Sequence, residues 1–563
     1  MRRPAKKPRR RKHLPKRPRR SASARPLFAL TLALIACGCT RVGEPAAGRH
    51  AWTIPQTLRI AIRESPNTLN PILASDTTEG MLARLTSDLL VSVDPSGKRQ
   101  IPMLASDIPT QRNGGISKDG LTVRYHLRRS VRWQDGAPFT SADVKFSYQA
   151  IMNSANNVSS RSGFTVISRV ETPDPYTVVF RLKRRYAPFV NTVFGESDNP
   201  YTVVPAHLLA KLPDVNHILF NEHPVGTGPF KLVRWIRGDR IEFEANDDYF
   251  LGKPKLRRII VRIVPDENTA ISLLRTHDID WMFEASPHVY RQIKTISDVN
   301  VVLVAQNAYE GMALNTARPI LSDVRVRRAI AHVLDKPRLL AEFTAGSATL
   351  ATEDLPTFMW AYDPDVRPYP YDPAAARRLL SDAGWEPGAD GTRRRAGERL
   401  ALSLSYNTGN TTRQALAVAA QAALRSIGID AQIKTYPGTL LFAPYGMGGI
   451  LARGNFDLDL SGWIAGIDPN NADQFSCPAM PPNGSNITRF CTPALDAAQL
   501  AALSNYDQAA RKRAYARIQR MLAEDVPEIF FWYPRQIHPI SPDLKGFSPN
   551  PVNEAWNAYQ WEI

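Results

Sequence analysis

The chain has 563 residues, 43% of them apolar, and a formal net charge of +18. Residues 1–26 hold thirteen Lys or Arg and no Asp or Glu, which leaves +5 for all the rest. A charge spread that thinly, with no basic stripe interleaved with aromatics, argues against a nucleic-acid partner. More than five hundred residues beyond this basic leader are too many for one hydrophobic core, since cores stop growing at roughly 250 to 300 residues, so two large lobes are expected.

Residues 27–37 read LFALTLALIAC. A ten-residue apolar core behind a basic segment is too short to cross a ~30 Å hydrocarbon layer, and it predicts an export signal that is cleaved. Leu34-Ile35-Ala36-Cys37 also fits the lipobox pattern of bacterial lipoproteins, so Cys37 is expected to carry the lipid and become the new N-terminus. Cys39 is a poorer second frame. Residues 38–56 lack apolar periodicity and read as a flexible tether.

The fold is expected to begin near Thr57. Leu58, Ile60 and Ile62 alternate as a strand, and the polar loop Glu64 to Asn70 that follows, with Asn67 in it, is a candidate pocket wall. From Gly120, Leu121, Val123, Tyr125 and Leu127 alternate with polar residues, Asp135-Gly136 is a turn, and Thr140 with Asp143 forms a capping-box variant opening a helix through Met152. Asp174-Pro175 predicts a further turn before a strand from Tyr176 to Leu182. Together these mark residues 96–215 as a subdomain inserted in the first lobe, whose own parts are 57–95 and 216–308. Gly226-Thr-Gly-Pro-Phe230 is a tight turn feeding the strand Lys231–Trp235, with Arg240–Glu244 as hairpin partner. It lacks the third glycine and the strand-to-helix context of a phosphate loop. Residues 257–264 predict a strand and 267–276 a helix.

After Tyr309 strand and helix units repeat, and 309–530 is read as the second lobe. Asp323 caps a helix through Leu334, and Asp372-Pro373 opens another. Residues 400–435 form the clearest unit: an alternating strand, the loop Asn407-Thr-Gly-Asn-Thr411, a helix stopped by Gly428, and a second strand. That βαβ pattern predicts a parallel sheet with helices on its faces. Ligands in open α/β sheets sit beyond the carboxyl ends of strands, which brings Asn407, Thr408 and Asn410 into view. Residues 531–563 are read as a return to the first lobe.

Cys477 and Cys491 lie fourteen positions apart in a Pro-, Asn- and Gly-rich segment. Export favours a disulfide between them, worth roughly 3 kcal/mol in the chain-entropy model. Two free thiols or half of a metal site are the alternatives, and no His stands within ligand spacing of either cysteine.

Catalytic motifs are absent: no HExxH, no GxSxG, no Walker loop. Asp457 and Asp459 share a strand face as a conceivable acid/base pair, as do Asp278 and Asp280, although such spacing more often marks a solvated strand edge. Aromatic and amide residues in loops offer a different chemistry, recognition without reactivity: Tyr309, Tyr406, Asn407, Tyr445, Trp463, Asn471, Asn486, Trp532 and Tyr533.

Gly120 to Ile151, Val225-Gly-Thr-Gly-Pro-Phe230, Arg327-Arg-Ala-Ile-Ala331, Tyr371-Asp-Pro-Ala374 with Leu379 to Trp385, and Asp459 to Pro469 occur in an order that resembles the extracytoplasmic solute-binding proteins of peptide and nickel ABC transporters. The resemblance spans about 57–563. It implies an α/β fold of the periplasmic-binding-protein type II, with two lobes on a hinge, an extra subdomain in the first, and a ligand held between them. It further implies a monomer partnered by a membrane permease, with no cofactor, no metal and no catalysis. Cys477 and Cys491 resemble a disulfide of the dipeptide-binding members, and Ser485-Asn486 resembles a segment lining their pocket. Those members commonly read Gly-Trp-x-Ala-Asp where this chain reads Gly462-Trp463-Ile464-Ala465-Gly466, and their Asp pairs with the ligand's ammonium group. Asp468 is the nearest substitute, its place before Pro469 also suiting a turn or N-cap. The binding residues expected are therefore Trp463, Asn486, Asn407, Thr408, Tyr309, Tyr406, Asp468 and Asn67. An exported hydrolase built on Asp457 and Asp459, or a ligand sensor using the same cleft, are the alternatives.

Overall fold

The structure is a computed structural model that describes residues 49–563; the signal segment, Cys37, Cys39 and most of the expected tether lie outside the described residues. Its frame is two sheets. The first has seven strands in the order Asn300–Ala305, Arg535–Ile540, Trp281–Met282, Thr57–Ile62, Arg258–Ile263, Arg240–Ala245 and Phe230–Ile236. Its apolar residues alternate as the sequence does: Leu58, Ile60 and Ile62 are fully buried against Ile259, Val261, Phe243 and Trp281.

The second sheet has six strands in the order Thr349–Leu350, Glu528–Tyr533, Ala308–Leu314, Leu458–Ile464, Ala401–Asn407 and Asp430–Tyr436. Ala401–Asn407, the helix Thr411–Ser426 and Asp430–Tyr436 make the expected βαβ unit, the strands running parallel with Ala401 opposite Asp430. Leu416, Ala420 and Leu424 bury the inner helix face on Leu402, Leu404 and Leu458. The sheet is nonetheless mixed, because Ala308–Leu314 runs antiparallel to both Leu458–Ile464 and Glu528–Tyr533. These are strands by which the chain enters and leaves the lobe, and entry and exit at one edge must run in opposite directions.

The two crossings lie side by side. Asn300–Ala305 of the first sheet continues past Gln306-Asn307 into Ala308–Leu314 of the second, while Glu528–Tyr533 continues past Pro534 into Arg535–Ile540 of the first. Ala305 opposes Arg535 on one side of the crossing, and Glu310 opposes Trp532 on the other. Pro534 has no N–H to give to a ladder, so pairing is interrupted where the chain changes sheets.

The inserted subdomain carries the sheet Thr122–His126, Thr177–Leu182, Ile167–Asp174 and the helix Ser141–Met152. Val123 and Tyr125 are fully buried while Arg124 and His126 are exposed, and the Thr140–Asp143 capping box opens the helix as expected. At the amino end the packed body starts earlier than Thr57. Asp543 accepts from the His50 N–H at 2.9 Å and from Thr53 Oγ1 at 2.5 Å, and Trp52 stacks between His50 and His277 at 4.3 and 3.8 Å. Ring stacking and hydrogen bonding hold this segment, which is why hydrophobic periodicity assigned it to the tether.

The glycines of Gly226-Thr-Gly228 serve close packing. A Cβ at Gly226 would lie 1.8 Å from the Thr86 carbonyl oxygen, and one at Gly228 2.4 Å from the Thr86 carbonyl carbon. The Gly228 N–H donates to that same Thr86 oxygen at 2.8 Å, so the turn is seated on the end of the helix Thr77–Thr86. Gly226→Ala is therefore expected to destabilise the protein by about 2 kcal/mol or more. Gly238→Ala, at φ 73° with open space around it, should cost only about 1 kcal/mol. Thermal melts followed by circular dichroism separate the two; equal losses would remove the close-approach account.

Candidate functional site

A cavity of ≈ 580 Å³ opens in the second lobe, with Ser159 of the inserted subdomain on its rim. Strand periodicity explains its floor. Directly opposed residues of an antiparallel pair share a face, as do residues two apart on one strand. Tyr309 opposes Trp463, Gly311 opposes Ser461, and Ala313 has Asp459 on one side and Glu528 on the other. Tyr309, Trp463, Ser461 and Glu528 line the cavity, while Asp459 is fully buried beside it. Gly311 leaves room for the Glu528 carboxylate, since a Cβ there would stand 3.0 Å from its Oε1.

The walls come from elsewhere. Phe442 to Tyr445 form one side, Gln474 and Phe475 another, and Pro481 to Ser485 with Ile487 and Thr488 a third. This third wall lies inside the loop closed by the Cys477–Cys491 disulfide, present as expected with an S–S distance of 2.06 Å. Asn486 is the keystone of that loop and has no face on the cavity. It is fully buried; its Nδ2 donates to the Ser476 and Phe490 carbonyls at 3.1 and 2.9 Å, and its Oδ1 accepts from Thr488 Oγ1 at 2.9 Å.

Polar contacts on the floor form a short chain. Gln474 Nε2 donates to Tyr309 Oη at 2.7 Å, and Tyr309 Oη donates to Glu528 Oε2 at 3.0 Å. Phe530 meets the Tyr309 ring edge to face at 4.8 Å and fixes its plane. Burial pushes the Glu528 carboxyl up to about 8; the Tyr309 hydrogen bond opposes this, and Asp354, Asp459 and Glu310 nearby add to it. Burial likewise raises Asp354 and Asp459 to about 6 each.

Other expected site residues are placed apart from the cavity. Asn407 Oδ1 accepts from Arg413 Nη1 at 2.8 Å, and Arg413 forks onto Glu310 at 2.5 and 3.0 Å. Asn410 caps the helix Thr411–Ser426, Thr408 is exposed, and Tyr406 is buried in the core of the lobe. Asn67 lies on an exposed loop of the first lobe, its N–H on Glu79. Asn471 joins Asp354 and Gln499, and Trp532 and Tyr533 are core residues. Tyr445 does stand on the cavity wall, 44% exposed.

Asp468 takes neither role weighed for it. It is buried and accepts from Arg511 Nη2 at 2.6 Å, so its charge is neutralised within the fold. A side chain at 466 has no space either, since a Cβ there would lie 2.5 Å from the Ser197 backbone. Asp457 accepts from Ser403 N–H and Oγ and from Arg318 Nε, bonds that outweigh its burial and hold its carboxyl below the usual range. Asp459 accepts from Ser405 Oγ at 2.7 Å and has no exposed surface. Asp280 is bound to Arg59, and Asp278 accepts from Thr276 Oγ1. Among the described residues no group of three or more His, Cys, Asp or Glu is placed to hold a metal ion, and no helix is long and apolar enough to cross a membrane.

Glu528 and Gln474 escaped sequence reasoning. The available signal was Glu528 standing just after Pro527 and ahead of the apolar run Ile529 to Tyr533; a carboxylate leading a buried strand must find a partner or face a cavity.

Comparison with known proteins gives a consistent set of likenesses. Residues 99–486 match the sequence model of the bacterial extracellular solute-binding proteins, family 5 middle region. The chain is 25% identical over 543 residues to the oligopeptide-binding protein AppA of Bacillus subtilis, covering 95% of this chain and 97% of that protein. It is 26% identical over 523 residues to the dipeptide-binding protein of Escherichia coli K12, covering 89% and 93%. Among solved structures, NikZ of Campylobacter jejuni in complex with Ni(L-His) matches with a TM-score of 0.76 at 27% identity, covering 91% of this chain and 100% of that one.

The raised carboxyls have a consequence for stability. A carboxyl whose pKa is higher in the folded than in the unfolded chain binds more protons when folded, so stability is greatest below the unfolded value and falls as pH rises toward the folded one. Glu528, Asp354 and Asp459 all have that sign. The unfolding midpoint is expected to fall between pH 5 and pH 8, and Glu528→Gln, which leaves a neutral group there, should flatten the decline. A midpoint that rises over this interval in both proteins would show that other groups dominate.

Proposed function

This chain belongs to the bacterial extracellular solute-binding proteins of family 5, and we propose that it captures a peptide or peptide-like solute in the cavity floored by Tyr309, Trp463 and Glu528 and releases it to a membrane permease. Its fold is the two-lobed type II periplasmic-binding-protein fold, and its work is that of the substrate-binding component of an ABC importer. The observation that carries the solute reading is the composition of the cavity. Five aromatic rings (Tyr309, Phe442, Tyr445, Trp463, Phe475) supply area, while Gln474, Asn483, Ser461 and Ser485 supply orienting hydrogen bonds. The relatives named for oligopeptides and dipeptides support the same class. No acid/base pair opens on the cavity among its described lining residues, which supports capture without chemistry on the solute.

Capture works through the hinge. Tyr309 and Glu528 stand on the crossing strands themselves, a few residues from Gln306-Asn307 and Pro534, so a solute resting on them sits where a small rotation of one lobe closes over it. The protein is read as a monomer held at the outer face of the membrane by a lipid on Cys37, the lipobox Leu34 to Cys37 being the support for the anchor.

Three measurements test this. Native purification followed by mass spectrometry is expected to recover a peptide-class solute, unchanged after incubation; a chemically altered product would favour an enzyme. Adding that solute at 100 times its Kd should stabilise the fold by about 2.7 kcal/mol, and Trp463→Ala should weaken binding about 10-fold or more. Cys37→Ser is expected to move the protein from the membrane fraction to the soluble one, and unchanged fractionation would remove the lipid anchor.

A further inference from the structure

The cavity contains one charged side chain among its described lining residues, and it is an acid without a base. Glu528 is 9% exposed and lines the cavity. Its side chain has one hydrogen bond, from Tyr309 Oη to Oε2; Oε1 receives none. The charged groups around it are Asp354, Asp459 and Glu310, and of these Glu310 is already answered by Arg413. Some buried acids are answered by arginine, Asp468 by Arg511, Asp280 by Arg59 and Glu196 by Arg84, and others by several hydrogen bonds, as Asp88 is by Thr227 and Tyr249; Glu528 has one such bond and opens on a cavity. A carboxyl in such a recess is driven toward its neutral form, and a cation that reaches it favours the ionised one.

We propose that Glu528 is the cation subsite of this cavity, receiving an ammonium or guanidinium group of the solute on Oε1 while Tyr309 holds Oε2. The inference rests on the solute-capture reading above and adds a requirement to it: the solute carries a positive group. Three features fit. Tyr309, hydrogen-bonded to the carboxylate, and Trp463, opposite Tyr309 on the next strand, line the same cavity, and ring faces attract cations. Gln474 fixes the Tyr309 hydroxyl so that its hydrogen points at Glu528, leaving Oε1 as the free acceptor. No lysine or arginine lines the cavity to oppose a cation or to receive an anion. The raised pKa of the empty site adds a signature. Glu528 holds a proton near neutral pH, and an arriving ammonium displaces it to solvent; the O–H bond is replaced by an N–H donor and no other group changes.

Isothermal calorimetry with four defined probes tests the subsite in the full soluble protein: Ala-Ala-Ala, its N-acetyl derivative, N-acetyl-Ala-Lys-Ala, and the simple diamine cadaverine. Wild type is expected to prefer the probes that carry a cation over N-acetyl-Ala-Ala-Ala by about 10- to 100-fold, and Glu528→Gln to abolish that preference while Glu528→Asp keeps part of it. Binding of a cationic probe at pH 7, compared between phosphate and Tris buffers, should release close to one proton in wild type and none in Glu528→Gln. If N-acetyl-Ala-Ala-Ala binds as tightly as Ala-Ala-Ala, or Glu528→Gln keeps the preference, the cation subsite falls and the peptide reading stands. If cadaverine alone binds, dependent on Glu528, the peptide reading falls and the subsite stands; if no probe binds, both fall. Should Glu528→Gln not fold, as judged by circular dichroism, the wild-type preference decides, and a wild type that binds N-acetyl-Ala-Ala-Ala as tightly as the cationic probes overturns the proposal.

Discussion

Two strands crossing side by side between two sheets set the terms for the rest of this molecule. Because Asn300–Ala305 pairs with Arg535–Ile540 in one sheet and Ala308–Leu314 with Glu528–Tyr533 in the other, the chain passes twice through one place. Both sheets are organised around that double passage. The first gains an antiparallel edge, and the second becomes mixed where its βαβ unit alone would have made it parallel. The cavity follows from the same constraint. Its floor residues Tyr309 and Glu528 belong to neighbouring crossing strands, so Tyr309 Oη meets Glu528 Oε2 at 3.0 Å although 219 positions separate them.

What was legible in the sequence was what is decided locally. Caps at Thr140, Asp323 and Asp372 act on the next turn of backbone, and each opens its helix as read. Strand alternation around Val123 and Tyr125 needs only the period of the pleat. Partnerships across the chain were not legible. Asn486 reads as a binding residue by composition, yet it spends both amide ends inside its own loop. Asn407 lies at the expected end of a parallel strand, but Arg413 on the following helix takes its oxygen. The packed segment from His50 to Gln56 has no periodic signal, because its hold is stacking on His277 and hydrogen bonds to Asp543, a residue some 490 positions away. Of the aromatic residues read as recognition candidates, Tyr309 and Trp463 line the cavity while Tyr406, Trp532 and Tyr533 are packed in the core, and Glu528 looked like one more acid before an apolar run.

Electrostatics divides the interior into two kinds of place. Some interior acids are matched by arginines: Arg59 forks onto Asp280, Arg511 reaches Asp468, and three arginines converge on Glu242. Those arginines outweigh burial and hold Glu242 down at about 2. Other buried acids lack an arginine and rise above the ordinary carboxylate range, Glu528, Asp354 and Asp459 at or near the cavity and Glu554 away from it. A completed ion pair fixes geometry and keeps its acid ionised, whereas a buried carboxyl without a counter-charge is driven toward its neutral form.

The latch at His50 and Thr53 adds a mechanical point. Its partners Asp543 and His277 both belong to the first lobe, so the segment from His50 to Thr53 is fastened to that lobe. A pull applied at His50 is then borne by the packing of the first lobe. The second lobe joins the first through the crossing strands and through contacts such as the Ala187 N–H on the Leu503 carbonyl and Tyr506 Oη on the Gly120 carbonyl, none of which involves that segment.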